Sequence, residues 1–346
     1  MKKVLFATTA LIATAGMAAA DVRLSGYGRF GLDYNSANER TAGVSETNIT
    51  SRLRLQVDMS TETDGGIGFN ARVRMQSESR DGNPAGSAGT AGDSDGPALN
   101  GADELADDNG FNGARFGVTY GGLAVNVGNI IGAVENAPGL FTTGTRSAGT
   151  GIDGMGFHSV VIKSRTGTAF NWDAYSSDGM GANGIEALYS MGGFTGHISY
   201  SQQNGGTVLG KAGGEDRTGI MLTYSFSDYY VTAAAQSSSV AANDVTFVAA
   251  GGDFGAFGAR LAYGSTDAAD SVTLEGNMDI GAASNILVWV NSTDVSGVVT
   301  AADTADGTSF GINYQYDLGG GATFVAGYVD EADDDNQFQA GVYFSF

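Results

Sequence analysis

Three consecutive segments near the start of the chain alternate apolar and polar residues with period two. In the first, Val22, Leu24, Phe30, Leu32 and Tyr34 share one face, against Arg23, Ser25, Tyr27, Arg29 and Asp33 on the other. In the second, Ile49, Leu53, Leu55, Val57 and Met59 oppose Arg52, Arg54, Gln56 and Asp58; in the third, Ile67, Phe69, Ala71, Val73 and Met75 oppose Asn70, Arg72, Arg74 and Gln76. Successive side chains of a strand point to opposite faces, so each segment is a strand with one apolar and one wet face. The last ten residues repeat the pattern: Phe338, Ala340, Val342, Phe344 and Phe346 against Gln337, Gln339, Gly341, Tyr343 and Ser345. Ending on an aromatic is unusual, because a free terminus is normally polar and frayed. Two architectures accept such strands. A soluble sandwich turns the apolar faces inward, and a transmembrane barrel turns them toward lipid.

The N-terminus bears on that choice. Lys2 and Lys3 precede a mostly apolar stretch from Val4 to Met17, followed by Ala18-Ala19-Ala20. This predicts a secretory signal peptide over residues 1–20, with Asp21 the first residue of a single mature domain, 21–346. Loss of the two lysines takes the formal charge from −21 to −23. Such acidity argues against a nucleic-acid partner, which needs basic patches. The chain has no cysteine, hence neither disulfides nor thiolate metal ligands. No apolar run reaches eighteen residues, so no helix is expected to cross a membrane. Export without a helical span leaves a secreted soluble protein or a β-barrel, since only helices and closed barrels satisfy their backbone in lipid. The 55 glycines carry no G-X-Y period, which excludes collagen; period-two apolar residues argue against disorder.

Direct counting gives a first strand, hairpins near 47–79, 111–130, 157–177, 184–202, 216–238, 244–265, 271–293 and 308–329, and a terminal strand, eighteen strands in all. Tight glycine turns (Gly65-Gly66, Gly121-Gly122, Gly192-Gly193, Gly319-Gly320-Gly321) alternate with longer, acidic connections such as 80–110 and 294–307. Short turns at one end and long loops at the other describe an outer-membrane barrel. Aromatics near strand ends (Tyr120, Tyr189, Phe194, Tyr224, Phe226, Tyr229, Tyr230, Tyr314, Tyr316, Phe344, Phe346) fit interfacial girdles, or hairpin-end packing in a soluble sheet.

The signal peptide, Asp21-Val22-Arg23-Leu24-Ser25-Gly26, Tyr316-Asp317-Leu318-Gly319-Gly320-Gly321 and the final Phe346 resemble the general (non-specific) porins of Gram-negative bacteria, the Rhodobacter-like type in particular. The resemblance implies an all-β fold: a transmembrane antiparallel barrel of sixteen strands, trimeric, with an infolded third outer loop. It implies an outer-membrane location and passive diffusion of small hydrophilic solutes and ions. It also implies that the closing strand pairs with Val22 to Tyr34, and that Phe344 and Phe346 belong to the signal read by the barrel-assembly machinery. The direct count is one hairpin higher. Either two segments between 184 and 293 are loop, or the barrel is wider than its relatives.

A pore needs fixed charge at its constriction. Nine of the thirteen arginines lie between Arg23 and Arg115. Alternation puts Arg29, Arg52, Arg54, Arg72, Arg74 and Arg115 on one side of the first strands, and Arg52, Arg54, Arg72 and Arg74 on one hairpin. Like charges across a sheet destabilise it unless water, counter-ions or carboxylates offset them. Lining a wet channel is one account; a solvated basic sheet face, or pairing with Asp33, Asp58 and Glu78, is the other. In the resembled porins the third loop faces an arginine wall. Here that loop is expected to leave Ile130 and run to about Gly156, with Glu135 and Asp153 as opposing charges. Two acids are few for that role, so a steep transverse field is in doubt.

Two outer loops are acidic. One holds Asp93, Asp95, Asp103, Glu104, Asp107 and Asp108, the other Asp330, Glu331, Asp333, Asp334 and Asp335. Asp333, Asp334 and Asp335 in particular offer the oxygen ligands that structural Ca²⁺ takes, and could bridge to lipopolysaccharide. A solvated loop is the alternative. No other cofactor is expected. Gly26-Tyr27-Gly28-Arg29-Phe30-Gly31 matches GxGxxG but opens no helix, so it fails as a dinucleotide site. His158 and His197 lack a GxSxG partner, and an enzyme is not expected. The alternative function is a substrate-specific channel. Relatives of that kind carry a lumenal aromatic ladder, whereas Tyr27, Tyr175, Trp289 and Tyr343 are scattered. Acidic mouths favour cations and the arginines favour anions; the balance leans to cations.

Overall fold

The computed structural model describes residues 21–40, 45–79, 111–141, 170–177, 181–208, 211–240, 243–295, 306–332 and 334–346. Sixteen strands follow in order: β1 (Asp21–Asn35), β2 (Thr47–Glu62), β3 (Gly68–Ser79), β4 (Arg115–Tyr120), β5 (Leu123–Asn129), β6 (Asn183–Met191), β7 (Phe194–Val208) and β8 (Lys211–Phe226), then β9 (Tyr229–Ser238), β10 (Val245–Asp253), β11 (Phe257–Ser265), β12 (Ala269–Ile280), β13 (Ser284–Val295), β14 (Gly307–Gly319), β15 (Ala322–Asp330) and β16 (Asn336–Ser345). Each pairs antiparallel with its sequence neighbours, and β1 pairs with β16 to close the barrel. Closure removes every sheet edge, which is what a sheet in lipid requires.

The count is therefore sixteen, not eighteen. The surplus hairpin was the one expected at 157–177, and everything expected as strand between 184 and 293 is strand. Residues 170–177 form no strand; residues 157–169 lie outside the described residues. Phe170 and Trp172 alternate with polar neighbours as a strand would, but both are buried inside the barrel. Their periodicity comes from packing on the inner wall, a cause that sequence periodicity cannot separate from lipid contact.

The outward face is apolar over the whole perimeter. Leu24, Phe30, Leu53, Phe116, Ile198, Leu222, Leu261, Leu274, Val288 and Phe338 all stand exposed. A continuous belt of this kind far exceeds the apolar patches that soluble monomers leave open. At the short-turn end, Phe194, Tyr224, Phe226, Tyr229 and Phe254 form a chain of ring contacts at 4.5, 5.6, 5.7 and 5.2 Å. This is an interfacial girdle. Tyr230, expected in it, instead turns inward and packs on the buried cluster described below.

The seam explains the glycines of the first strand. In the β1–β16 register Gly28 lies opposite Phe344, and Gly26 exchanges backbone hydrogen bonds of 3.0 and 3.1 Å with Phe346. A Cβ at Gly28 would stand 2.4 Å from the Phe344 ring, and one at Gly26 would stand 2.9 Å from that of Phe346. The two terminal rings lie where side chains of β1 would otherwise be. The GxGxxG look-alike is thus a flat strand that accepts the aromatics of its partner. Gln337 and Gln339, expected to line water, face inward but are buried. Glu331, from the β15–β16 connection, accepts a hydrogen bond from Gln337 Nε2 at 2.5 Å.

Candidate functional site

The connection between β5 and β6 spans residues 130–182, and its described residues 130–141 and 170–177 lie inside the barrel. It is longer than the expected 130–156, because the segment expected as a hairpin belongs to it. Residues 131–141 and 170–173 lie on the inner wall formed by β6 to β12, whereas 175–177 lie against β3 to β5. Ala133, Val134, Leu140, Phe170 and Trp172 from the loop pack with Met221, Ala234, Phe247, Ala249 and Ala262 from the wall, all buried. The barrel thus has an apolar core on one side of its lumen, worth roughly 1.5–3 kcal/mol for each large side chain removed from water.

Polar groups fix the loop to this wall at three points, and Asn129 holds Ser176 at a fourth, through hydrogen bonds of 2.9 and 3.2 Å. Next to its start, the Glu186 carboxylate accepts from Ile131 N at 3.0 Å, Gly132 N at 3.1 Å and Asn126 Nδ2 at 2.8 Å, and its Oε2 lies 3.2 Å from His197 Nε2. Gly132 has φ 87°, and a Cβ there would stand 2.6 Å from Asp173 O, so both backbone angle and close approach demand glycine. In the returning segment, Asp173 meets Arg217 at 3.2 Å, and Arg217 forms a two-pronged pair with Glu215 at 2.8 Å on each prong. Ser238 at 2.5 Å and Asn243 at 2.8 Å also donate to Glu215. Farther out, Arg260 pairs with Glu275 at 2.6 Å and donates to the carbonyls of Gly139 and Phe141, the latter at 3.0 Å. All of these charged groups are buried. Buried pairs are tolerable when further hydrogen bonds satisfy the remaining atoms, which holds for Glu186 and Glu215, while Arg260 Nε is left without a partner among the described residues.

The opposite wall, β1 to β4, carries the arginines. Register refines the expected crowding. Arg54 stands across from Gln76, Gln56 from Arg74, and Asp58 from Arg72, so the β2–β3 hairpin interleaves cations with acceptors. Direct like-charge neighbours are instead Arg29 with Arg52, and Arg72 with Arg115. Arg72 Nε donates to Asp58 at 2.5 Å, Arg74 Nε to Gln56 Oε1 at 2.8 Å, and Arg54 Nε to Gln76 Oε1 at 2.7 Å. Aromatic faces take up more of the charge. The Arg54 guanidinium lies 5.1 Å from the Tyr27 ring, and those of Arg74 and Arg115 lie 4.5 and 5.4 Å from Tyr175 on the loop. Arg115 also approaches Glu186 at 3.7 Å. Arg29 is buried beside Arg52, while Arg52, Arg54, Arg72 and Arg74 are half-buried.

The loop therefore reaches the arginine wall through Tyr175, by its ring and its hydroxyl, and through Ser177. Glu135 accepts from Trp172 Nε1 at 2.5 Å within the loop; Asp153 lies outside the described residues. So do Asp333 and the acidic residues of 80–110. Asp335 accepts from Ser36 Oγ at 3.2 Å, Asp334 is exposed, and no three acidic or histidine side chains come together among the described residues.

A sequence model for the Gram-negative porin family matches residues 7–337. The chain belongs to that family. A porin from Fuscovulum blasticum is 32% identical over 309 residues, covering 86% of this chain and 90% of its own length. Two engineered mutants of the Rhodopseudomonas blastica porin superpose with TM-scores of 0.69 at 27% and 26% identity, each over 94% of this chain and 100% of its own. The porin barrel thus comes with a loop whose anchors sequence reading missed: Glu186, His197, Asp173, Arg217, Arg260 and Glu275. One signal was available. Five of these six sit at inward positions of strands where small residues predominate, and an isolated inward charge needs a partner. For Arg217 the partner is hidden, because Asp173 lies in the segment that reads as a hairpin; Glu186 and Arg260 meet backbone atoms of 131–141, which residue spacing does not reveal.

Proposed function

We propose that this chain is an outer-membrane porin, a water-filled channel for passive diffusion of small hydrophilic solutes and ions. The supporting observation is the cross-section of the barrel. One wall is covered by a clamped loop, and the other presents half-buried guanidiniums to a lumen-facing groove of about 460 Å³. The reading includes removal of residues 1–20 on export, a homotrimer, lipopolysaccharide around the apolar belt, and insertion by the barrel-assembly machinery through the strand ending in Phe344 and Phe346. It requires no reaction and no cofactor; Ca²⁺ at Asp333, Asp334 and Asp335 is a structural addition to it. Arg29, Arg52, Arg54, Arg72, Arg74 and Arg115 set the charge preference, with Glu135 and Asp153 as the loop acids.

Planar-bilayer recording tests it. Purified protein is expected to give ohmic steps in KCl, and a reversal potential in a salt gradient that moves toward cation preference when Arg52→Ala is combined with Arg72→Ala. Well-folded protein without steps overturns the channel. Steps with an unmoved reversal potential remove these arginines from the constriction.

A further inference from the structure

The groove on the arginine wall has a composition that simple ion conduction does not need. Tyr27 lines it and stacks on Tyr343 behind, with ring centroids 5.1 Å apart and planes 25° from parallel. Arg54 covers the Tyr27 face, and Arg23 and Arg74 complete the rim. Tyr175 stands above, sandwiched against Arg74 and Arg115. The rings are half-buried and Arg23 is exposed, so ring edges and a guanidinium lie within reach of a solute.

The charge here is held differently from that of the neighbouring arginines. Arg72 is neutralised by Asp58, whereas Arg74 is held by the neutral groups Gln56 Oε1 at 2.8 Å and Ser177 Oγ at 3.5 Å and by a ring face. Asp58, across from Arg23 in the register, is engaged by Arg72 Nε and by Gln56 Nε2 at 2.7 Å. The terminal backbone of Phe346 borders the groove and is bound to Gly26. Guanidiniums that keep their charge beside stacked aromatic faces match one ligand chemistry: a planar aromatic ring bearing a carboxylate. The ring would take the place of the Arg54 guanidinium on the Tyr27 face, and the carboxylate would take the forked donors of Arg74 or Arg23.

We propose that this groove is a weak, saturable site for planar aromatic carboxylates, which gives the pore a preference among anions of equal charge and similar size. The proposal rests on the channel reading above, and the experiment separates the two. Ohmic steps in KCl are recorded first; 2-naphthoate or cyclohexanecarboxylate is then titrated into the bath. Naphthoate is expected to reduce conductance saturably, with a half-blocking concentration about fivefold below that of the aliphatic acid, the size of one stacking contact. Tyr27→Leu is expected to erase that ratio and Tyr27→Phe to keep it. Equal block by the two acids, or a ratio unmoved in Tyr27→Leu, overturns the site while leaving the channel intact. If Tyr27→Leu does not fold, Arg74→Gln is expected to weaken naphthoate block severalfold; unchanged block overturns the site. If no steps appear in KCl, the channel reading fails and binding is read by saturation-transfer NMR in detergent. Transfer to naphthoate but not to cyclohexanecarboxylate then supports the site, and equal or no transfer overturns it.

Discussion

The two sides of the lumen use the same residue types for opposite purposes. On β6 to β12, Arg217 and Arg260 are buried: Arg217 meets the carboxylates of Glu215 and the loop's Asp173, and Arg260 meets Glu275 and the loop carbonyls of Gly139 and Phe141. On β1 to β3, Arg54 and Arg74 are half-buried and donate to glutamine carbonyls and rings. The first set is spent on holding the loop. On the proposed function the second, in which Arg74 is held by neutral groups, acts on what passes. Alternation alone assigns all of them to the inward face; the partner decides the role.

The comparison can be broken from either side. The largest effect is expected from Arg217→Ala, which leaves Glu215 and Asp173 buried without their cation. Urea unfolding in lipid should show a loss of about 3–5 kcal/mol, and single channels should become larger and noisier as the loop loosens. A cost under about 1 kcal/mol would mean that the pair does not clamp. Phe247→Ala, in the apolar patch beneath the loop, should cost about 3–5 kcal/mol if the patch is as well packed as a protein core. An unchanged urea midpoint would make the patch incidental.

Across the lumen, Arg74→Gln should move stability by less than about 1 kcal/mol, because a half-exposed cation with neutral partners contributes little to folding. Its signature should be a reversal potential displaced toward cations. A large stability loss without that displacement would put Arg74 in the structural class. The smallest effect is expected from Asp58→Asn. It removes the counter-charge of Arg72 and should move the reversal potential slightly toward anions, opposite in sign to Arg74→Gln. A shift of the same sign would show that Asp58 does not neutralise the wall.

Much of this architecture was legible beforehand. The lipid-facing and lumenal sides of β1, β2, β3 and β16 follow from period two, and the tight glycine turns mark one end of the barrel. The failures share a cause. Residues 170–177 alternate like a strand while packing inside, and Tyr230 looks like a girdle residue while lying under the loop. In both, inward apolar packing imitates contact with lipid. Gln337 and Gln339 failed differently: their inward direction was right, but both are buried, Gln337 against Glu331 of a neighbouring connection.

The amino-acid sequence by itself determined that the chain forms alternating strands, which face of them is apolar, and where the arginines concentrate. These are local properties, written in spacing along one segment. Tertiary structure alone decided the register that sets Arg54 against Gln76 and Arg29 against Arg52, the glycine seam under Phe344 and Phe346, and the course of the loop across the lumen. Each depends on which distant residues stand opposite one another. A shift of one residue between paired strands would exchange every inward and outward side chain.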